Sequence, residues 1–209
     1  MPTVFHTAHP VSSKIAKIVN FVNNGLNFYV GIGKATEWDN SYGNSVTDEN
    51  PPLPSSTTVE LIEPIIYKRV KCVAPATVNR TGFIYNKVCE TLTNTNELLN
   101  NNILIKESEF EKTLNLYSVE DIKFIEGQYN IVPDYIYIQA EIEPSEYREE
   151  SWRCSALFTN LILKEGVSSS LDIYTPDQVE QGYIEQITFN SPVFQVPNKL
   201  HRFEYLISL

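Results

Sequence analysis

Near Gly25 the apolar period of this chain changes from that of a helix to that of a strand, and this constrains its fold most. Ser12 and Ser13 are good helix caps. Behind them Ile15, Ile18, Val19 and Val22 recur at i, i+3, i+4 and i+7, one helical face, with Lys14 and Lys17 off it. Asn23, Asn24 and Gly25 supply the stop. The spacing predicts one short amphipathic helix over 13–24. From there the period is two: Leu26, Phe28, Val30 and Ile32 face one way, and Asn27, Tyr29 and Gly31 the other, as in a half-buried strand. Alternation returns at 135–142, where Tyr135, Tyr137, Gln139 and Glu141 oppose Ile136, Ile138, Ala140 and Ile142 before Pro144. Further strands are expected over 152–163, 182–191 and 201–209, the last two joined across Pro192 to Asn198. Strands spaced by turn signals behind one clear helix predict a mainly β (α+β) fold. We expect an antiparallel β-sandwich-like core with a short N-terminal amphipathic helix.

The segments between are less regular. Residues 38–56 read as a long surface loop that leaves through the stiff run Pro51-Pro52-Leu53-Pro54. Residues 57–63 could start a helix capped by Ser56, limited by Pro64. Ile66, Val70, Cys72 and Ala74 suggest one strand up to Pro75. Over 76–128, Asn-rich turns at 94–96 and 100–102 separate short apolar pieces, so short strands and one helical turn near Glu97 to Asn100 are expected. No repeat and no interdomain linker stands out, and 1–209 reads as a single structural domain.

Composition narrows the function classes. The chain has 209 residues, 42% of them apolar and 20% charged, which excludes a disordered chain. Sixteen basic against 26 acidic residues give a net charge of −10. That balance argues against non-specific nucleic-acid binding and against docking to anionic lipid. Cys72, Cys89 and Cys154 are odd in number and widely spaced, so they form neither a disulfide framework nor a metal clip and read as buried, reduced thiols. With no apolar run of about 18 residues and no charged n-region before an apolar stretch, the expectation is a protein made and used without crossing a membrane.

Several motifs resemble catalytic or binding signatures and fail on inspection. Gly31-Ile32-Gly33-Lys34-Ala35-Thr36 suggests a phosphate loop, but Phe28 stands where the first glycine is needed and Ala35 where the hydroxyl is needed. Thr36 likewise replaces the third glycine of a dinucleotide fingerprint. The simpler reading is a strand end where two glycines let the backbone turn closely. His6 and His9 precede Pro10 with no carboxylate nearby, and His201 is expected to face solvent. Glu141, Glu143, Glu146, Glu149 and Glu150 read as a solvated charged surface. Asn79-Arg80-Thr81 matches a glycosylation pattern that matters only on a secretory route. No catalytic, metal-binding or cofactor-binding residue is expected, and no small-molecule substrate.

Read in order, these segments resemble a known family. The capped helix is followed by Asn27-Phe28-Tyr29-Val30-Gly31-Ile32-Gly33-Lys34, by Trp38, and by Pro51-Pro52-Leu53-Pro54-Ser55. Later come Glu150-Ser151-Trp152-Arg153-Cys154-Ser155-Ala156-Leu157, Thr159-Asn160, Gly182-Tyr183-Ile184, Phe189-Asn190-Ser191-Pro192-Val193 and Glu204-Tyr205-Leu206-Ile207. This series is similar to the baseplate wedge protein of contractile phage tails, the dimeric wedge component of T-even-like phages. The resemblance covers residues 12–74 and 135–209. The chain is shorter than the T-even member, its 75–134 region reads as a reduced insertion, and Lys34 stands where the family often has arginine.

The resemblance implies a virion structural subunit without an active site, assembled in the host cytoplasm. Its implied partners are other wedge proteins and a second copy of itself, with no nucleic acid and no membrane. The candidate interface and structural residues it implies are Phe28, Tyr29, Gly31, Gly33, Trp38, Pro51, Pro52, Pro54, Trp152, Arg153, Asn190 and Pro192. Two other classes remain open. One is a carbohydrate- or receptor-binding β module of a phage tail, marked by aromatic platforms on an exposed sheet face. The other is a β-fold hydrolase with paired carboxylates in a groove.

Overall fold

The structure is a computed structural model that describes residues 11–23, 27–79, 102–107, 110–116, 124–125, 128–129, 133 and 135–209. Among the described residues one helix, α1 (Val11–Asn23), precedes twelve strands. These are β1 (Tyr29–Gly33), β2 (Pro64–Arg69), β3 (Cys72–Asn79), β4 (Asn102–Glu107), β5 (Phe110–Leu116), β6 (Phe124–Ile125), β7 (Gln128–Tyr129), β8 (Tyr135–Ile142), β9 (Ser151–Leu163), β10 (Ile173–Tyr174), β11 (Val179–Phe194) and β12 (His201–Ser208). Short 3-10 turns lie at Asn40–Tyr42, Pro144–Glu146 and Pro176–Gln178. The chain is therefore mainly β: two five-stranded antiparallel sheets, the strand content of a β-sandwich-like core, with a small two-stranded sheet of β6 and β7. It divides into two compact units, one of Met1–Gly25, Lys71–Ile138 and Glu204–Leu209, the other of Leu26–Val70 and Gln139–Phe203.

In the second unit the sheet order is β10-β2-β1-β9-β11. Its ladders are antiparallel, with β1 central between β2 and β9. Central position corrects one expectation: β1 is buried at all five positions rather than on one face. Two-sided burial hides the alternation that a half-exposed strand would display. One face builds an aromatic core. Tyr67 meets Phe158 edge-on at 5.3 Å and Tyr29 meets Tyr174 at 5.7 Å. Gly31 is glycine because a Cβ there would lie 2.8 Å from both the Phe158 ring and the Leu61 side chain. Each such ring, fully buried, contributes about 1.5–3 kcal/mol. Burial pushes the Cys154 thiol up to about 12, so it stays protonated and packs as a small apolar group. Cys72 is also buried and forms no disulfide among the described residues, and Cys89 lies outside them.

In the other sheet the order is β12-β8-β3-β5-β4. β4 and β5 close a tight hairpin at Glu107 and Phe110, and β5 pairs β3 from Ala76 onward, just past Pro75, which has no N–H to give. Helix α1 packs against β3. Its Ile18 is fully buried and Val19 partly so, while the side chains of Ile15 and Val22 lie outside the described residues. Ile18→Asp places an unpaired charge at this contact and should destabilise the protein by several kcal/mol. A thermal melt of that variant matching the parent would mean that the helix face is not packed as described.

Three further expectations are corrected. Residues 57–63 form turns and bends, not a helix. There Thr58 N donates to Ser55 O at 2.9 Å, and the Ser55 and Thr58 hydroxyls bond nearby amides, the competition that keeps such residues out of helices. The run 66–75 is two strands, β2 and β3, in different sheets, separated at Val70, whose N–H goes to Phe28 O at 3.0 Å. Strand β11 runs through Pro192 instead of stopping before it. β11 is an edge strand, and its register is irregular between Phe189 and Val193, which is where a strand tolerates proline. The helical turn expected near Glu97 lies outside the described residues, as do His6 and His9.

Candidate functional site

The site begins where β1 ends. Gly33 cannot carry a side chain, because a Cβ there would sit 2.3 Å from the Ile62 carbonyl oxygen. The β1–β2 ladder shifts register at this point, from Ile32 opposite Ile66 to Gly33 opposite Pro64. Lys34 and Glu63 then face each other, both left-handed, at φ 61° and 41°. Lys34 N donates to Glu63 O at 3.0 Å. Two non-glycine residues in that region cost about 1–3 kcal/mol each, and their side chains offset part of it. Lys34 Nζ reaches Glu63 Oε1 at 3.1 Å and also bonds Thr36 Oγ1, which itself lies 2.9 Å from Glu63 Oε2. Burial alone would raise the Glu63 carboxyl, but the hydrogen bonds from Lys34 and Thr36 outweigh it and hold it below its ordinary value. The expectation of a close backbone turn therefore holds at Gly33 and not at Gly31, which pairs regularly inside β1, and a buried lysine lies beside the turn. Gly33→Ala should cost about 3 kcal/mol, the upper end for forced overpacking, because main chain rather than a flexible side chain must move. Chemical denaturation of the purified variant checks this; an unchanged midpoint would contradict the contact.

The buried ammonium of Lys34 also lies over two rings, 5.6 Å from the centre of Trp38 and 5.2 Å from Tyr42. Trp38 is buried and gathers its surroundings. It meets Tyr42 edge-on at 5.0 Å and Phe189 at 5.3 Å. Its indole N–H donates to Asn190 O on β11 at 2.9 Å, and its backbone N–H to Asp48 Oδ1 at 2.9 Å. Asp48 is gripped in turn by Arg153 of β9, Nε to Oδ1 at 2.6 Å and Nη2 to Oδ2 at 2.7 Å. The remaining guanidinium nitrogen donates to Ala35 O at 2.6 Å and Ser151 Oγ at 3.1 Å. Arg153 is 4% exposed, so this is a buried fork with all three nitrogens engaged. Hydrogen bonding from Arg153 holds the Asp48 carboxyl below its ordinary value, and donating to that carboxylate raises the Arg153 guanidinium.

The structure thus brings Gly33, Trp38, Arg153 and Asn190 into one bonded knot. It does not bring in the remaining candidates. Phe28, Tyr29 and Gly31 belong to the sheet interior, Pro51 and Pro52 are half-buried, Pro54 is exposed and Pro192 is half-buried. Trp152 is buried elsewhere, against Phe203 at 5.5 Å and His201 at 5.9 Å. His201 is accordingly half-buried rather than solvent-facing, and its Nε2 is buried with no hydrogen-bond partner among the described residues. Burial, and then the charge of Lys199, hold the imidazole below its ordinary value. The unfolded state therefore binds the proton more readily, so the contribution of His201 is complete above about pH 6.5. That contribution is lost as pH falls through the depressed folded value. Urea unfolding at pH 7.5 and pH 5 should show this loss in the parent and not in His201→Phe.

The glutamate-rich segment is also corrected. Glu141 is buried and bonds Arg202 Nη2 at 3.0 Å; Glu146 pairs with Lys68 at 2.6 Å with both side chains mostly buried. Glu143 and Glu150 are exposed, as expected. Sequence reading missed Asp48, Glu63 and Ser151: each is one polar residue among many in a loop or strand, and its partner lies far off or carries no motif. Among the described residues no group of three His, Cys, Asp or Glu side chains is placed to hold a metal ion, and no helix is long and apolar enough to cross a membrane. No protein-family model matches this chain, and no curated protein matches it.

Proposed function

We propose that this chain is a structural subunit of the baseplate wedge of a contractile phage tail, joining neighbouring wedge proteins during assembly. It acts as a homodimer, is assembled in the host cytoplasm and resides in the virion. One observation carries the reading. Three pieces of the resemblance that lie far apart in sequence, the stretch from Gly33-Lys34 to Trp38, Arg153 and Asn190, meet in a single bonded knot. Motifs that support one another physically belong to one shared fold more readily than to chance. The carboxylates also favour a structural role over acid–base catalysis. Asp48 and Glu63 are held by cations below their ordinary pKa, whereas a general acid at neutral pH needs a raised one. Exposed Leu53, Val59 and Phe194 provide apolar area for contacts between subunits.

An antibody raised against the purified protein should label the baseplate end of tails in negatively stained particles of the encoding phage. The free protein should sediment at twice its chain mass, the closed two-fold state commonest among soluble oligomers. Protein present in infected cells yet missing from purified particles would overturn the assignment. Retention on a polysaccharide array would instead favour the carbohydrate-binding module.

A further inference from the structure

A groove of about 600 Å³ opens on the second unit between the turn before β2 and the start of β11. Its lining includes the buried side chains of Leu61, Tyr67, Phe158 and Val179. Val59, 70% exposed, and the exposed carboxylates of Glu60 and Glu180 also line it. Pro64 and Pro176 fix the wall, and Gly182 has no room for a Cβ, which would lie 2.5 Å from the Phe158 ring. The groove is therefore a preformed one.

Its polar groups are unspent. Glu63, Glu141, Glu146 and Asp48 each hold a cation, but among the described residues no ion pair or side-chain hydrogen bond engages Glu60 or Glu180. Tyr67 is more than nine-tenths buried and lines the groove, and among the described residues its hydroxyl has no hydrogen-bond partner. Burial, and then the nearby charge of Glu60, push that hydroxyl up to about 12, so it remains a protonated phenol whose oxygen can accept a hydrogen bond.

We propose that this groove receives an arginine side chain of a partner protein. The arginine stem lies against Val59, Leu61 and Val179, and its guanidinium donates to Glu60, Glu180 and the Tyr67 oxygen. Arginine fits better than lysine because its planar fork carries five donors and stacks on aromatic rings. A chain of net charge −10 attracts such a partner from a distance. The volume also admits the main chain flanking the arginine, which favours a polypeptide over a free amine. The inference goes beyond the wedge reading and does not depend on it.

The test is titration of the isotope-labelled full chain with acetyl-Gly-Arg-Gly-amide, its citrulline counterpart and spermidine, followed by amide chemical shifts. The arginine peptide should give saturable shifts at Leu61, Tyr67, Gln181 and Gly182. The citrulline peptide and spermidine should bind at least about tenfold more weakly, for want of the charge-assisted fork. The double variant Glu60→Gln, Glu180→Gln changes exposed side chains only, so it should keep the parent's unfolding midpoint and lose arginine binding by a similar factor. Equal binding of citrulline or spermidine, shifts outside the groove, or undiminished binding by the double variant would each overturn the proposal.

Discussion

Replacing Arg153 with alanine should lower the unfolding free energy by about 3 kcal/mol, the low end of the range for removing one partner of a buried charge pair, because the Asp48 side chain left behind is 25% exposed. The variant leaves Asp48 with its Trp38 amide but without its cation, and strips the donor from Ala35 O and Ser151 Oγ. Arg153→Lys keeps the charge, but three donors on one nitrogen cannot reproduce a planar fork that serves four acceptor atoms, so it should fall between parent and alanine. A double-mutant cycle with Asp48→Asn should give a coupling well above that of an exposed pair. The sign of the pH dependence follows from the depressed Asp48 carboxyl. Its contribution is present above the unfolded value near 4 and is lost as pH falls through the lower folded value. The gap between parent and Arg153→Ala should therefore narrow in acid. A loss below about 1 kcal/mol at neutral pH, the figure for surface pairs, would mean the fork is not buried as described.

Trp38→Ala should cost about 3–5 kcal/mol, as other large buried aromatics do. The cavity would remove the rings' neighbour on Tyr42 and Phe189, release Asn190 O from its donor and take away one of the two rings beneath the Lys34 ammonium. Trp38→Phe restores most of the packing and none of the hydrogen bond, so its smaller cost, about 1–3 kcal/mol, isolates the orphaned carbonyl. Denaturant midpoints of the two variants measure both terms. A Trp38→Ala protein that is as stable as the parent, yet fails to assemble, would place this ring at a subunit contact instead of inside the subunit.

The candidate site was legible in part. The glycines at 31 and 33 suggest a close backbone turn, and the Ile62 carbonyl imposes one at Gly33, whereas Gly31 lies inside β1, where the Phe158 ring leaves no room for a side chain. Trp38 was recognisable as an anchor because a large aromatic behind a strand end must pack somewhere. The partners were not legible. Nothing in the chain text distinguishes Asp48 from Asp39 or Glu49, yet Asp48 is bound by Arg153, 105 positions away. Glu141 and Glu146 sit in a run that reads as solvated, and Arg202 and Lys68 reach them from other strands.

By itself the sequence determined the local elements. A 3.6-residue period over α1 and a two-residue period over β8 and β12 are properties of neighbours in the chain, and local backbone geometry converts them directly into helix and strand. Tertiary structure decided what each element meets. It split 66–75 between two sheets, buried both faces of β1, and carried β11 through Pro192 at an irregular edge where no ladder hydrogen bond is required of it. It also chose which carboxylate each cation neutralises. Those outcomes depend on strand order, and strand order is set by the joint burial of residues a hundred or more positions apart, which no local period records.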